Sequence, residues 1–272
     1  MIKLGHILYS NCFPPHAGIV LHKVGFPFKL VEGVPTQLNR MLSEGTIDVS
    51  PSSSIEYAVN KGRYILFPDL SITSHNKVVS ILLESKSPIE ELANKVVALT
   101  TASATSVVLL RILLEIHYGV NPKYILYEQG AEDPSQQSDA MLTIGDLAIQ
   151  RAATSKYPHH YDLGELWHKF TGLPFVFALW QINYQKKIHN DLSRLYDIIM
   201  ESRSYGLNHL QELAETCSER FNIHSTVLLK YWNLFSYRFG EEEKKGLLTY
   251  YSYAAELGAI EPEKELRFWT RD

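Results

Sequence analysis

Val96-Val97-Ala98-Leu99-Thr100-Thr101-Ala102-Ser103-Ala104-Thr105 passes from a short apolar run into a string of small, mostly hydroxyl-bearing residues and then opens a helix. The apolar run is strand-length. From Thr105 to Tyr118 the apolar residues Val108, Leu109, Ile112, Leu113 and Ile116 recur at helical spacing, and Gly119 supplies a stop. A strand feeding a helix through a polar turn is the βα unit from which mainly parallel sheets are built.

The same rhythm extends both ways. Toward the N-terminus, Leu4–Leu8, Phe28–Val31, Ile47–Val49 and Ile65–Phe67 read as strands, with helices over Pro35–Leu42 and Ser52–Val59 between them. Pro35 suits a first helical turn, where its missing N–H has no partner to lose. Toward the C-terminus, Tyr124–Tyr127, Ala140–Ile144 and Phe175–Ile182 read as strands. After Gln185 only helices follow, over Ile188–Glu201, Leu207–Phe221, Ser225–Phe235 and Glu242–Leu257. Two largely apolar stretches, Val78–Leu83 and Phe175–Ile182, bracket the middle series. They predict an α/β chain in which lobe II, residues 85–182, is inserted into lobe I, residues 1–84 and 183–272. The two strands would act as hinge crossings, and the helical tail would pack on lobe I.

Composition narrows the function. With 45% apolar and 21% charged residues the chain is ordinary globular protein, and at 272 residues two lobes can each bury a core. A net charge of -4 with scattered Lys and Arg offers no basic stripe for nucleic acid. No run of about 18 apolar residues argues for a membrane span. Polar Tyr9-Ser10-Asn11 arrives too early for a secretory apolar region, and Cys12 and Cys217 alone make no disulfide framework, so a cytoplasmic location is expected. Cys12, near a strand end, reads as a space-filling thiol.

Eleven histidines contain no His-x-x-x-His with a Glu, and His159-His160 read as surface neighbours in a loop, so no metal is expected. Dinucleotide-binding, phosphate-loop and nucleophile-elbow glycine motifs are all missing, and no cofactor is implied.

Four polar segments fall where open α/β sheets place ligands, at the C-terminal ends of strands. They are Tyr9-Ser10-Asn11, Ser50-Pro51-Ser52-Ser53, Thr100 through Thr105, and Ile144-Gly145-Asp146. Each opens a helix or tight turn, where unpaired N–H groups and the helix dipole favour an anion. Each taken alone is also what an ordinary N-cap looks like, and capping is the leading role for Asp146. Ser80 interrupts the run Val78-Val79-Ser80-Ile81-Leu82-Leu83, so its hydroxyl either finds a partner in the sheet or faces a ligand. The pattern predicts a two-lobed binder of a small anion, receptor or enzyme.

These segments together resemble the chorismate dehydratases of the futalosine route to menaquinone, a branch of the type II periplasmic-binding-protein fold. The resemblance runs from Lys3 to about Gln181. It rests on Tyr9-Ser10-Asn11 with Pro14, Gly33-Val34-Pro35 with Leu38-Asn39, Asp48-Val49-Ser50-Pro51 with Ser54-Ile55-Glu56-Tyr57, and Leu99-Thr100-Thr101 with Ser103 to Ser106. Ile144-Gly145-Asp146, Tyr161-Asp162-Leu163-Gly164-Glu165 and Thr171 through Trp180 complete the set. The chain departs from the family's usual Ser-Tyr-Leu-Asn at Leu8-Tyr9-Ser10-Asn11 and in the loop Cys12 to His16.

The resemblance implies a lyase that converts chorismate to 3-[(1-carboxyvinyl)oxy]benzoate, driven by aromatisation. It assigns catalysis to Asn11 and Ser80, and substrate binding to Tyr9, Ser10, Ser52, Ser53, Ser103, Ala104, Thr105, Gly145 and Asp146. Few strong bases stand among them, which points to the substrate's own enolpyruvyl carboxylate as the base, with Asn11 orienting it. A sister family that makes 1,4-dihydroxy-6-naphthoate usually carries a Pro-Asn-Asp run in its first loop, and this chain has none. A non-catalytic receptor is the other alternative. Nothing in the sequence sets an oligomeric state.

Overall fold

Strands and helices alternate much as the apolar periodicity predicts. The computed structural model describes residues 1–152, 154–184 and 189–271. In chain order the elements are β1 (Lys3–Ile7), α1 (Phe13–Val20), β2 (Lys29–Gly33), α2 (Pro35–Ser43), β3 (Val49–Ser53), α3 (Ser54–Val59), β4 (Tyr64–Ser74), β5 (Ile81–Ser85), β6 (Val96–Thr100), α4 (Ala104–Arg111) and β7 (Lys123–Tyr127). There follow β8 (Ala140–Ile144), α5 (Gly145–Ala152), β9 (His159–Asp162), α6 (Leu163–Thr171), β10 (Phe175–Asn183), α7 (His189–Asn208), α8 (Leu210–Phe221), α9 (Ser225–Trp232), β11 (Phe235–Ser236) and α10 (Glu241–Glu256). Ile188, the expected start of the first tail helix, lies outside the described residues.

The chain divides into two units: unit 1 holds residues 1–73, 176–240 and 265–272, and unit 2 holds residues 74–175 and 241–264. The sheet of unit 1 runs β11-β4-β10-β3-β1-β2. Here β1 is parallel to both β2 and β3, and β10 lies antiparallel to β3. Leu4 to Ile7 are all buried, as expected of an interior strand of a covered sheet. Gly5 lets β3 lie close, since a Cβ there would stand 2.3 Å from Ser50 Oγ.

Unit 2 carries a sheet of order β7-β6-β8-β5-β9, in which β6 is parallel to β7 and β8 and β5 is antiparallel to β8 and β9. The expected crossing strand Val78–Leu83 is instead β5, starting at Ile81. It is paired on both edges inside unit 2. The chain changes unit at 73/74, 175/176, 240/241 and 264/265. His159-His160, read as a loop, begin β9, whose polar residues suit an edge strand. In the loop expected from Cys12 to His16, Cys12 is the N-cap residue of α1 and Phe13 to His16 form its first turn, with proline in it.

Helices α7, α8 and α9 belong to unit 1, but α10 packs in unit 2. Its aromatic face explains why: Tyr250 meets Trp167 and Phe175 edge to face. Gly246 allows contact with Pro174, whose carbonyl oxygen would lie 2.2 Å from a Cβ at that position. Helix α4 continues past Arg111 as a π-helical turn, Ile112–His117, and ends at Gly119 with φ +65°. Among the described residues no helix is long and apolar enough to cross a membrane.

Candidate functional site

In unit 1, β1 and β3 are parallel neighbours, so their C-terminal ends bring Tyr9-Ser10-Asn11 and Ser52-Ser53 to one edge of the sheet. Ser10–Cys12 forms a single 3-10 turn that runs straight into α1. Two buried aromatics hold this turn by its backbone. Trp232 Nε1 donates to the Ser10 carbonyl at 2.8 Å, and the Tyr237 hydroxyl donates to the Asn11 carbonyl at 2.9 Å. Burial raises the Tyr237 pKa well above its ordinary value, with the nearby Cys12 adding to it, so the hydroxyl keeps its proton and remains a donor.

The side chain of Asn11 is half-buried, and its Oδ1 accepts only the Cys12 thiol, at 3.3 Å. No described residue takes its two amide hydrogens. Cys12 itself is buried, which fits a space-filling thiol. At the end of β3, Ser52 Oγ and Gln181 Oε1 are both buried with no hydrogen-bond partner among the described residues, although Gln181 Nε2 donates to the Ser52 and Ser53 carbonyls. Each such atom costs about 1–3 kcal/mol when left unmatched, so this edge carries polar capacity that the protein does not use internally. Gln181 went unassigned in the sequence, yet it interrupts the apolar strand Phe175–Ile182 just as Ser80 interrupts its own.

A second feature of unit 1 was also missed. His6 on β1 and His16 on α1 are buried, with Nδ1 to Nδ1 at 3.0 Å, and Trp180 Nε1 donates to His16 Nε2 at 3.1 Å. An indole N–H can only donate, so it fixes both tautomers. His16 carries its proton on Nδ1 and donates to His6, whose proton must then sit on Nε2. Burial pushes the His6 pKa from 6.5 down to about 4, with the Arg220 charge assisting. Burial and then His6 push that of His16 well below its ordinary value. The folded chain thus refuses protons that the unfolded chain accepts between pH 6.5 and about 4. Stability is full above pH 6.5 and falls as pH drops through that window. By pH 5 His6 alone should remove about 2 kcal/mol, read as a lower urea midpoint than at pH 7. An unchanged midpoint would mean that the pair is not kept neutral.

In unit 2, β6 and β8 are parallel neighbours and β5 starts opposite the end of β8. Ser80, Thr100 to Thr105, and Gly145-Asp146 therefore share one edge of that sheet. Ser103 is a plain N-cap: its Oγ accepts from Ser106 N at 3.3 Å and meets Ser106 Oγ at 3.0 Å. Ala104 is exposed in the first turn of α4, and Thr105 is buried, its carbonyl accepting the Tyr250 hydroxyl at 3.1 Å. The Ser80 carbonyl accepts from Gly145 N at 2.7 Å, and Gly145 takes φ +65°. Ser80 is itself buried, and Asp146 lies in the first turn of α5, where its charge suits the helix dipole. Among the described residues no three His, Cys, Asp or Glu side chains converge as metal ligands would.

A family profile described as menaquinone biosynthesis matches residues 2–256. The chorismate dehydratase of Thermus thermophilus is 35% identical over 263 residues, covering 91% of this chain and 93% of that protein. That of Campylobacter jejuni is 30% identical over 199 residues, or 71% and 72% of the two chains. Among solved structures, a protein of Archaeoglobus fulgidus superposes with a TM-score of 0.77 at 18% identity, covering 95% of this chain and 98% of its own. The periplasmic aliphatic sulphonate binding protein of Escherichia coli gives 0.64 at 13% identity, covering 100% and 96%. These two likenesses show the fold, which is that of the periplasmic binding proteins.

Proposed function

Because this chain belongs to the chorismate dehydratase family of menaquinone biosynthesis, we infer that it removes water from chorismate to leave 3-[(1-carboxyvinyl)oxy]benzoate. The observation that carries this reading is identity to a curated chorismate dehydratase sustained over more than nine-tenths of both chains. The reaction takes a proton from the ring carbon bearing the enolpyruvyl ether and expels hydroxide from the neighbouring carbon. The two electrons of the broken C–H bond become part of the aromatic ring.

Asn11 is the residue to which we assign orientation of the reacting groups. Its amide donates to one oxygen of the enolpyruvyl carboxylate, which takes the ring proton, while its carbonyl accepts from a substrate hydroxyl. An amide is no base at neutral pH, so its contribution is geometry. The fixed backbone of the 3-10 turn supports this role, because Trp232 and Tyr237 hold Ser10 and Asn11 without using the amide. Ser52 Oγ and Gln181 Oε1 are the further polar groups of unit 1 that we assign to substrate. In unit 2 we assign carboxylate recognition to Ser80 and to the first turn of α4 at Ala104 and Thr105, with Gly145-Asp146 beside them. Ser103 contributes by capping α4, since its hydroxyl is already engaged. Tyr9, Ser10 and Ser53 complete the proposed substrate set, and we place the reaction in the cytoplasm.

The decisive experiment mixes purified protein with chorismate. The diene absorbance should disappear as an enolpyruvyl benzoate accumulates. Chorismate returned unchanged would end the dehydratase reading, and bound but unchanged chorismate would make the chain a receptor.

A further inference from the structure

Ser80 enters β5 from a backbone segment that L-amino acids resist. Val79, immediately before it, has φ +52°, and it is the only β-branched residue among the positive-φ, non-glycine residues described. A branched Cβ crowds its own backbone there, so the conformation persists only when something outside the segment imposes it. What imposes it is Asp162, more than eighty positions away in the sequence. Its Oδ2 accepts from Val79 N at 2.7 Å and from Val78 N at 3.0 Å, and its Oδ1 lies 3.1 Å from Val78 N. The same Oδ1 caps α6, accepting from Gly164 N at 2.9 Å and Glu165 N at 3.1 Å. One carboxylate thus ties the start of a helix to the two residues that aim Ser80.

The surroundings are built for this tie. Ser74 Oγ lies 3.0 Å from the Asn76 carbonyl and 2.7 Å from that of Lys77, which closes the turn before Val78. Gly164 admits the turn, because a Cβ there would stand 2.5 Å from the Asn76 carbonyl oxygen. On the far side the Ser80 carbonyl is held by Gly145 N.

We propose that Asp162 is a positioning residue for Ser80: by binding the amides of Val78 and Val79 it holds a strained turn that sets where the Ser80 hydroxyl stands. The inference rests on the assignment of Ser80 to substrate. It does not require Asp162 to touch the substrate.

The division of work between the two oxygens supplies the test. Asp162→Asn can keep Oδ1 as the cap of α6 while putting an NH2 group against the Val79 N–H, so the helix survives and the tie to Val79 is lost. The kcat for chorismate should fall by roughly 10- to 100-fold, because a displaced Ser80 hydroxyl no longer fixes the bound carboxylate in its reacting geometry, with KM changed by no more than about threefold. Val79→Pro breaks the same tie from the other end, removing the donor and the positive φ while leaving the carboxylate intact, and should lose kcat to a similar degree. In the Ser80→Ala background neither change should cost much more, because their effect runs through Ser80. Thermal melting, followed in parallel, separates this from simple loss of fold. Losses that multiply with that of Ser80→Ala would overturn the inference, as would full kcat in Asp162→Asn and Val79→Pro when Ser80→Ala is impaired. Full activity in Ser80→Ala itself would instead remove the assignment on which it stands.

Discussion

Asn11→Ala should lose turnover of chorismate by about 10²- to 10³-fold while melting within about 3 °C of the parent. The two halves of that expectation have separate origins. Stability is spared because the side chain is half-buried and its one side-chain hydrogen bond among the described residues is from a thiol donating at 3.3 Å, a weak bond whose loss the structure hardly registers. The turn beneath it stays in place, since Trp232 and Tyr237 grip carbonyl oxygens that alanine also has. Activity is not spared, because an amide that both donates and accepts has no substitute in a methyl group. Asn11→Asp should fare no better. It matches the shape but turns the donor into a charged acceptor facing the carboxylate it must orient. Steady-state kinetics beside a thermal melt decide the matter, and near-full activity in Asn11→Ala would withdraw the orienting role.

How much of this was legible in the sequence depends on the range of each interaction. The β6–α4 unit could be read because its signals are local: an apolar run, a cap, helical spacing and a stopping glycine. β9 was missed because an edge strand of sequence His-His-Tyr-Asp shows little apolar alternation, and α1 because Pro14-Pro15 look like a loop when they are the first turn of a helix. Ser103 illustrates a different limit. A hydroxyl at a helix start reads alike whether it caps the helix or awaits a ligand, and only the bond to Ser106 N separates the two. Asp162, Tyr250 and the His6–His16–Trp180 chain act across tens to more than a hundred positions, so no local pattern could pair them. Gln181 was within reach, since a polar residue in an otherwise apolar buried strand is the signal that singled out Ser80.

Gly206→Ala should be the most damaging single methyl in unit 1. Helices α1 and α7 meet through small residues at two successive turns. Gly18 lies against Ser202, whose Oγ also accepts from Ile19 N at 3.1 Å, and Gly206 lies against Pro14. A Cβ at Gly206 would stand 1.9 Å from the Pro14 carbonyl oxygen, which is backbone and has no rotamer to escape into. The helices must separate, and overpacking of this kind costs about 3 kcal/mol, or roughly 6–12 °C in melting temperature for a chain of this size. Helix α1 begins two residues after Asn11, so the separation displaces the amide as well, and kcat of the folded fraction should fall together with stability. Gly25→Ala gives the comparison: a Cβ there meets nothing within 4 Å and no positive φ opposes it, so its melting temperature should hold or rise slightly. Equal melting of the two variants would mean that α1 and α7 do not approach as closely as these atoms require. Loss of stability in Gly206→Ala with kcat per folded molecule intact would show that Asn11 is held by Trp232 and Tyr237 alone, independently of the helix it precedes.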